Sequence, residues 1–311
     1  MKILITGSNG HIGSYLVRFL IKKNKNISLI LIDNFSTQRY SSIFNLPKIK
    51  KIKFIEADVS KYNLKNIIKN IDFDIHLAAI TNAQESFINA KKVHSNNYNC
   101  TKKIANECLK YNKKLIFISS TSVYGTQKKI VDEFCDKKDL FPQSPYALTK
   151  LKEEKYLISL SKKKLKVIIF RFGTIYGPSE GMRFHTAVNK FCWQAAMGQP
   201  ITVWKSAYEQ YRPYLDLNDA SRAILHSMTL LNFNGDIFNI LTNNTTVKNI
   251  IKIIKNEIPR IKIKKVHHKI MNQLSYEVSN KRFKSTGFKF NGSIEKSIIK
   301  TLNLIKNANK I

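Results

Sequence analysis

The sequence predicts an α/β fold built on a doubly wound, mostly parallel sheet, and three observations carry that prediction. Short β-rich runs alternate with longer amphipathic stretches through the first half of the chain. The first run, Ile3, Leu4 and Ile5, passes straight into a loop with glycine at positions 7, 10 and 13. An aspartate, Asp33, closes the second run about 20 residues beyond that loop. Strands separated by helices pair in parallel and need cover on both faces, which leaves ligands to bind beyond the carboxyl ends of the strands.

In the opening segment a strand must stop and a helix start within a few residues. Bare backbone is needed at the turn and wherever a pyrophosphate approaches. Gly7, Gly10 and Gly13 meet that need, with Asn9, His11 and Ile12 between them. Ile12, Leu16, Val17, Phe19 and Leu20 then supply the buried face of the helix. The spacing is Gly-x-x-Gly-x-x-Gly, a variant of the usual dinucleotide fingerprint. A plain tight turn uses the same residues, but the position between strand and helix favours a cofactor loop.

The second strand, Ser28 to Ile32, delivers Asp33, followed by Asn34 and Ser36. A carboxylate there accepts from a ribose 2′-hydroxyl and repels a 2′-phosphate, so NAD is favoured over NADP. Arg39 nearby keeps NADP open, and a strand-ending turn aspartate is the bland alternative. Lys53 to Glu56 is the third strand and leads to Asp58 and Val59, where Asp58 either reaches an adenine amino group or caps a helix. Phe73 to Leu77 is the fourth, and the small residues of Leu77, Ala78 and Ala79 let backbone approach a cofactor or let a helix pack closely. Lys114 to Ser119 and Lys166 to Arg171 complete the alternating series. The whole reads as a Rossmann-type doubly wound parallel sheet with a smaller C-terminal substrate-binding lobe. Residues 1–175 form the NAD-binding domain, and 176–311 form most of the lobe. Asp236 to Leu241 returns to the sheet as one more strand. Val247 to Ile258 and Ser293 to Ile305 read as amphipathic helices.

Bulk properties narrow the class. A chain of 311 residues can bury a large core and carries a length prior of about two domains. No apolar run approaches the roughly 20 residues of a membrane span. Because Met1 to Ile5 is already the first strand, no signal peptide is expected. Cys100, Cys108, Cys135 and Cys192 form no Cys-x-x-Cys pair and no metal-ligand spacing with the histidines, so a reducing cytoplasm and no metal are expected. The net charge of +32 invites a nucleic-acid reading, but the lysines are spread along the whole chain and no aromatic stripe accompanies them. Compositional bias explains them better, with electrostatic attraction of an anionic substrate a second use.

Tyr146 and Lys150, in Ser-Pro-Tyr-Ala-Leu-Thr-Lys, stand four apart on one face of a predicted helix. A phenol is a poor base at neutral pH, but a nearby ammonium and a cationic nicotinamide ring both favour the phenolate. Tyrosine can then exchange a hydroxyl proton while hydride moves to or from a cofactor.

With those residues in view, the chain resembles the extended short-chain dehydrogenases/reductases, specifically the NAD-dependent nucleotide-sugar epimerase/dehydratase family. The resemblance spans nearly the whole length: Thr6-Gly7 to Gly13, Asp33 in Asp-Asn-Phe-Ser-Thr, Asp58, Leu77-Ala78-Ala79, Asn97 in Asn-x-x-x-Thr, Ser119 to Gly125, Tyr146/Lys150, and Arg171 to Pro178. Two departures are Cys100, where the family often has glycine, and Arg212-Pro213-Tyr214 in place of Arg-Asp-Phe. The resemblance makes Ser120 the hydroxyl partner of Tyr146 and Lys150, and adds Asn97 to the cofactor set. It gives the next two positions diagnostic weight. Dehydratases of the family carry an acid there, because eliminating water needs a general acid and a base. Certain 3,5-epimerases carry cysteine. Thr121 and Ser122 are neither, which leaves hydride chemistry without elimination.

The activity implied is 4-epimerisation of a nucleotide sugar through transient oxidation at carbon 4. A dehydratase, dehydrogenase or reductase of the same family is the nearest alternative, and a non-catalytic NAD-binding sensor the next. Thr121, Ser122, Arg183, Trp204 and Arg212 are the expected substrate contacts: Arg212 as diphosphate clamp, Trp204 as base-stacking ring or core residue, and Arg183 with His185 near the sugar or a carboxylate on it. Asp219 is expected to cap a helix, His267 and His268 to be a solvated pair, and Cys100 and Cys108 to pack along one helix. Family members often pair through a helix bundle, so Asn97 to Tyr111 and Ser144 to Leu160 are the expected faces of a homodimer.

Overall fold

The structure is a computed structural model that describes residues 1–48, 51–125, 129–266 and 275–309. The pair His267 and His268 lies outside the described residues. The chain begins β1 (Lys2–Thr6), α1 (His11–Lys23), β2 (Ser28–Asp33), β3 (Ile52–Glu56), α2 (Lys65–Ile68), β4 (Phe73–His76), α3 (Ala90–Lys110) and β5 (Lys114–Ser120). It continues through a short β6 (Ile130–Val131), α4 (Pro145–Ser161), β7 (Lys166–Phe172), β8 (Thr174–Tyr176), α5 (Ala187–Ala196), β9 (Ile201–Trp204), β10 (Tyr211–Asp216) and α6 (Leu217–Ser227). Then follow β11 (Asn234–Ile240), β12 (Asn243–Thr246), α7 (Val247–Glu257), β13 (Ile263–Val266), β14 (Glu277–Val278), α8 (Lys281–Lys284) and α9 (Ile294–Ile305).

Seven strands form one sheet in the order β3-β2-β1-β4-β5-β7-β11, every neighbouring pair parallel. The order reverses between β1 and β4, which is where a doubly wound sheet opens a crevice for a ligand. Alternation along β1 explains the two-sided cover. Ile3 and Ile5 pack with Leu16, Val17 and Leu20 of α1 and with Ala220 and Ile224 of α6, whereas Leu4 faces Ile104 of α3 and Leu157 of α4. The predicted strand at 236–241 is β11, at the far edge beside β7.

A separate core, built on Phe191 and Cys192 of α5, Ile250 and Ile254 of α7, and Ile298 and Leu302 of α9, holds these three helices together. Its small sheets, β12-β10-β8 and β13-β9, stand apart from the large one. Among the described residues no helix is long and apolar enough to cross a membrane. Among the described residues no cysteine is in a disulfide, and Cys100 and Cys108 are both buried along α3.

Candidate active site

The carboxyl ends of β1, β2, β4, β5 and β7 converge on one rim. At the end of β1, Gly7 takes φ +69, and a β-carbon there would lie 2.7 Å from the Ala78 nitrogen. The exit loops of β1 and β4 therefore touch backbone to backbone. At Gly13 a β-carbon would lie 2.5 Å from the Gly7 carbonyl oxygen, so this glycine brings α1 against its own loop. Gly10 differs: its nearest neighbour would be 3.3 Å away, and its φ of −67 suits any residue. What needs a glycine at position 10 is the space outside the protein's own atoms.

That space has the polarity a dinucleotide requires. Asn9 Nδ2, His11 Nδ1 and Arg183 Nε are buried without a hydrogen-bond partner among the described residues. His11 Nε2 lies 2.8 Å from the Gly177 carbonyl, which can only accept, so the ring donates from Nε2 and keeps a lone pair on Nδ1. Burial first, and the Arg183 cation second, bring its pKa down to about 3. At the end of β2, Asp33 accepts from the Asn9 N–H at 3.0 Å and from the Phe35 N–H at 2.9 Å, which fixes its carboxylate at the rim. Arg39 lies close enough for the Asp33 charge to raise its pKa, against a larger lowering by burial. Asn34 accepts from the Ser36 N–H at 3.0 Å in a local turn.

Asp58 caps no helix. Its Oδ1 accepts from the Ser60 N–H at 2.8 Å and the Ser60 hydroxyl at 2.7 Å, closing a turn, and α2 starts only at Lys65. Val59 beside it is buried. After β4, Leu77 donates to the Thr6 carbonyl at 3.0 Å and Ala78 meets Gly7. Asn97 of α3 is wholly buried and brackets Ile80, next after Ala79. The small side chain at 78 thus serves the close approach of two loops.

β5 delivers Ser120, whose hydroxyl accepts from the Ser122 N–H at 3.1 Å and from the Ser122 hydroxyl at 2.9 Å. Both serines are partly exposed. Thr121 turns the other way. It is 4% exposed and its hydroxyl donates to the Phe172 carbonyl at 3.2 Å, so its side chain braces β5 against β7 instead of facing the rim. The tight turn of 121–123 sends alternate side chains to opposite sides, a division that a neighbouring pair of hydroxyl residues does not announce.

α4 begins with Ser144 as N-cap, its hydroxyl accepting from Ala147 N–H at 3.1 Å, and with Pro145 in the first turn. Tyr146 follows at once, its N–H donating to the Ser86 hydroxyl at 3.2 Å. Its ring is partly exposed, and its hydroxyl is near enough to Arg183 to raise the guanidinium's pKa, which burial brings down to about 10. One turn further, Lys150 is 3% exposed. Its ammonium lies 4.5 Å over the Phe117 ring and 3.2 Å from Glu153 Oε2. His76 ends β4 beneath it, held neutral by burial and then by the Lys150 charge, with its pKa near 3.

The remaining expected substrate contacts come from the second half of the chain. Arg183 donates to Thr81 of the β4 exit loop. Arg212, at the start of β10, donates to Gln210 Oε1 at 2.8 Å and stacks 5.2 Å over the Tyr276 ring. Trp204 ends β9, opposite Val266 in register. Asp219 is not a cap. Asp216 caps α6 by accepting from Asn218 N–H at 2.8 Å, while buried Asp219 accepts from Arg222, Thr242, Asn291 and Gly292. Pro213 pairs with Asn244 of β12 and lies one residue before the ladder to β8, which starts at Tyr214 opposite Thr174.

A family model described as the NAD dependent epimerase/dehydratase family matches residues 3–240. The chain belongs to that family. An uncharacterised UDP-glucose epimerase of Bacillus subtilis is 30% identical over 251 residues, 77% of this chain and 76% of that protein. A dTDP-D-glucose 4,6-dehydratase of Dictyostelium discoideum is 36% identical over 196 residues, 58% of this chain but only 45% of the relative. Among solved structures, the UDP-glucuronic acid 4-epimerase of Bacillus cereus, in complex with UDP-glucuronic acid and NAD, superposes with a TM-score of 0.89 at 24% identity over 99% of this chain and 100% of that one. Family membership makes NAD the cofactor, and the orphaned polar atoms around the glycine loop fit it.

Three features of this family member were not read from sequence. Gly181 packs so closely on the glycine loop that a β-carbon would meet the carbonyl oxygens of Asn9 and Gly10, and its N–H donates to Ser14 at 2.9 Å. Glu154, Arg171, Tyr124 and Asn239 form a buried chain of hydrogen bonds below Ser119. Glu153, one turn after Lys150, faces its ammonium. The only local signal for the last two was the pair of adjacent glutamates, Glu153 and Glu154, in α4.

Proposed function

We propose that the chain is an NAD-dependent nucleotide-sugar 4-epimerase. The observation that carries this reading is the rim at β5 and α4, where Ser120 and Tyr146 are both partly exposed above buried Lys150, and where Ser122, supporting Ser120, is a neutral hydroxyl in place of an acid. Residues 1–175 with β11 serve as the cofactor domain and the rest of 176–311 as the substrate lobe.

NAD, when bound, supplies the hydride acceptor and donor. Gly7, Asn9, Gly10, His11, Ile12 and Gly13 would hold its diphosphate, and Asp33, Asn34 and Ser36 a ribose. Asp58 and Val59 would flank the adenine, and Leu77, Ala78, Ala79 and the Asn97-braced loop would face the second ribose. Lys150 serves cofactor and base together. Tyr146 takes the proton of the sugar 4-hydroxyl and later returns it, while Ser120 holds that oxygen in line. Carbon 4 is oxidised and then re-reduced on its other face, so the product keeps the substrate's mass. The neutral pair at 121 and 122 offers no acid for elimination, which disfavours the dehydratase reading. The retained tyrosine and lysine disfavour a sensor.

Ser122, Arg183, Trp204 and Arg212 form the substrate set, with Thr121 removed by its inward side chain. Arg183 favours a sugar that carries an anionic group. It stands beside Tyr146 with a buried, unpartnered Nε, and the Bacillus cereus 4-epimerase was solved with UDP-glucuronic acid, whose sugar bears a carboxylate. A cytoplasmic homodimer completes the reading. Its support is the exposed face of α3 and α4, where His94, Tyr98 and Tyr156 form a surface cluster.

The deciding experiment incubates the protein with NAD and UDP-, GDP-, dTDP- and CDP-sugars, uronic acids included, and reads products by mass and proton NMR. An isomer of unchanged mass is expected. Loss of water from the substrate, or accumulation of NADH, overturns the assignment in favour of a dehydratase or a dehydrogenase. Tyr146→Phe should keep NAD binding and lower turnover by roughly a hundredfold or more.

A further inference from the structure

Lys150 and Glu153 are buried together at the reaction centre. Their side chains are 4% and 1% exposed, and Lys150 Nζ lies 3.2 Å from Glu153 Oε2. The contact is one of charge, since Oε2 has no hydrogen-bond partner among the described residues. The other oxygen, Oε1, is fixed by the Thr101 hydroxyl of α3 at 2.5 Å. The carboxylate is therefore held from the neighbouring helix and aimed at the ammonium, which keeps its N–H donors for a ligand.

The other groups that face this pair are accounted for. From β4, His76 is neutral. From β5, Phe117 presents its ring face. From α3, Cys100 keeps its proton, because burial and then the charges of Asp58 and Glu153 push its pKa up to about 12. Across the rim, Arg183 is the cation that faces Tyr146.

From this arrangement we infer that Glu153 is a positioning residue for the reaction, held by Thr101 so that it fixes the Lys150 ammonium and offsets its charge, tuning the pH at which Tyr146 gives up its proton. The ammonium alone would favour the phenolate strongly. With a carboxylate at its side the pair is nearly neutral, and the phenolate draws its support mainly from Arg183 and the bound cofactor's cationic ring. This inference rests on the reading of Tyr146 as the catalytic base.

The test uses the holoenzyme and follows tyrosinate absorbance in the ultraviolet as pH rises, with the Tyr146→Phe holoenzyme as subtraction blank. Turnover against pH is measured beside it. Glu153→Gln, which still accepts from Thr101, should move the Tyr146 transition and the rising limb of turnover to lower pH by roughly one unit. Thr101→Val keeps both charges but frees the carboxylate from its brace, and should move the transition the same way by less. Should Glu153→Gln not fold, Glu153→Asp, which withdraws the carboxylate by one methylene, should move the transition the same way by less. A transition unmoved in the folded variants, with turnover still abolished by Tyr146→Phe, overturns the role of Glu153 alone. Turnover that survives Tyr146→Phe overturns the catalytic reading and this inference with it.

Discussion

Asn97 holds Ile80 by both ends of its peptide: the amide oxygen accepts from the Ile80 N–H at 2.8 Å and the amide nitrogen donates to the Ile80 carbonyl at 2.9 Å. The cofactor-side loop after β4 is thus shaped by a side chain of α3. Asn97→Ala leaves a buried N–H and a buried carbonyl unpaired, and is expected to cost roughly 2–4 kcal/mol of stability. Urea unfolding measures that loss, and NAD titration should show weaker binding. Asn97→Asp, which keeps only the acceptor, should fall between.

The three glycines of the first loop should separate by mechanism. Gly13→Ala pushes a methyl into the Gly7 carbonyl and should lower folding stability as well as NAD affinity. Gly10→Ala makes one tight contact, 3.3 Å to the Gly7 carbonyl, and should unfold within about 1 kcal/mol of the parent chain. Yet it should bind NAD at least about tenfold more weakly, if its methyl occupies the place of the diphosphate. Calorimetry with and without NAD checks both; equal binding by Gly10→Ala and the parent would contradict the assignment of the loop.

Acid should destabilise the fold well before its carboxylates titrate. His11 and His76 are buried and neutral, with pKa values brought from 6.5 to about 3. Between those values the unfolded chain binds protons that the folded chain refuses, so stability falls as pH drops through 6 toward 4. At pH 5 the loss should be on the order of 1–2 kcal/mol per histidine. Urea midpoints at pH 7 and pH 5 test this, and His11→Phe should remove part of the slope.

Asp74 supplies the opposite sign. Both its carboxylate oxygens are buried without partners among the described residues, and burial raises its pKa well above 3.8. Here the folded chain keeps a proton that the unfolded chain releases, so this group weakens the fold as pH rises above about 4. Asp74→Val should stabilise the protein at neutral pH by roughly 1–3 kcal/mol. A less stable Asp74→Val would show that the carboxyl has a partner.

The legible parts of this molecule are those whose cause is local. The strands of the large sheet could be read because each is a short apolar run bounded by turn residues, and Gly7 to Gly13 because the strand, loop and helix are adjacent in the chain. Tyr146 and Lys150 were legible through helical spacing. Asp219 was misread because Asp216 and Asp219 are equally good caps on paper. Only the fold, by bringing Thr242, Asn291 and Gly292 to Asp219, separates them. Thr121 was misread because a turn sends it inward while Ser120 and Ser122 stay at the rim. Glu153 was missed because its meaning depends on Thr101 from another helix.

The seating of Gly181 on the carbonyls of Asn9 and Gly10, with Ser14 and the Arg18–Glu180 ion pair beside it, bears on how this scaffold can be re-engineered. A chimera that takes residues beyond 176, the proposed substrate lobe, from another member inherits a foreign lid for the first turn of α1. Such exchanges should succeed only when the donor segment brings a glycine at the place of 181 and the recipient keeps a small hydroxyl residue at 14. Breeding new specificities from this chain therefore means moving the seam together with the pocket.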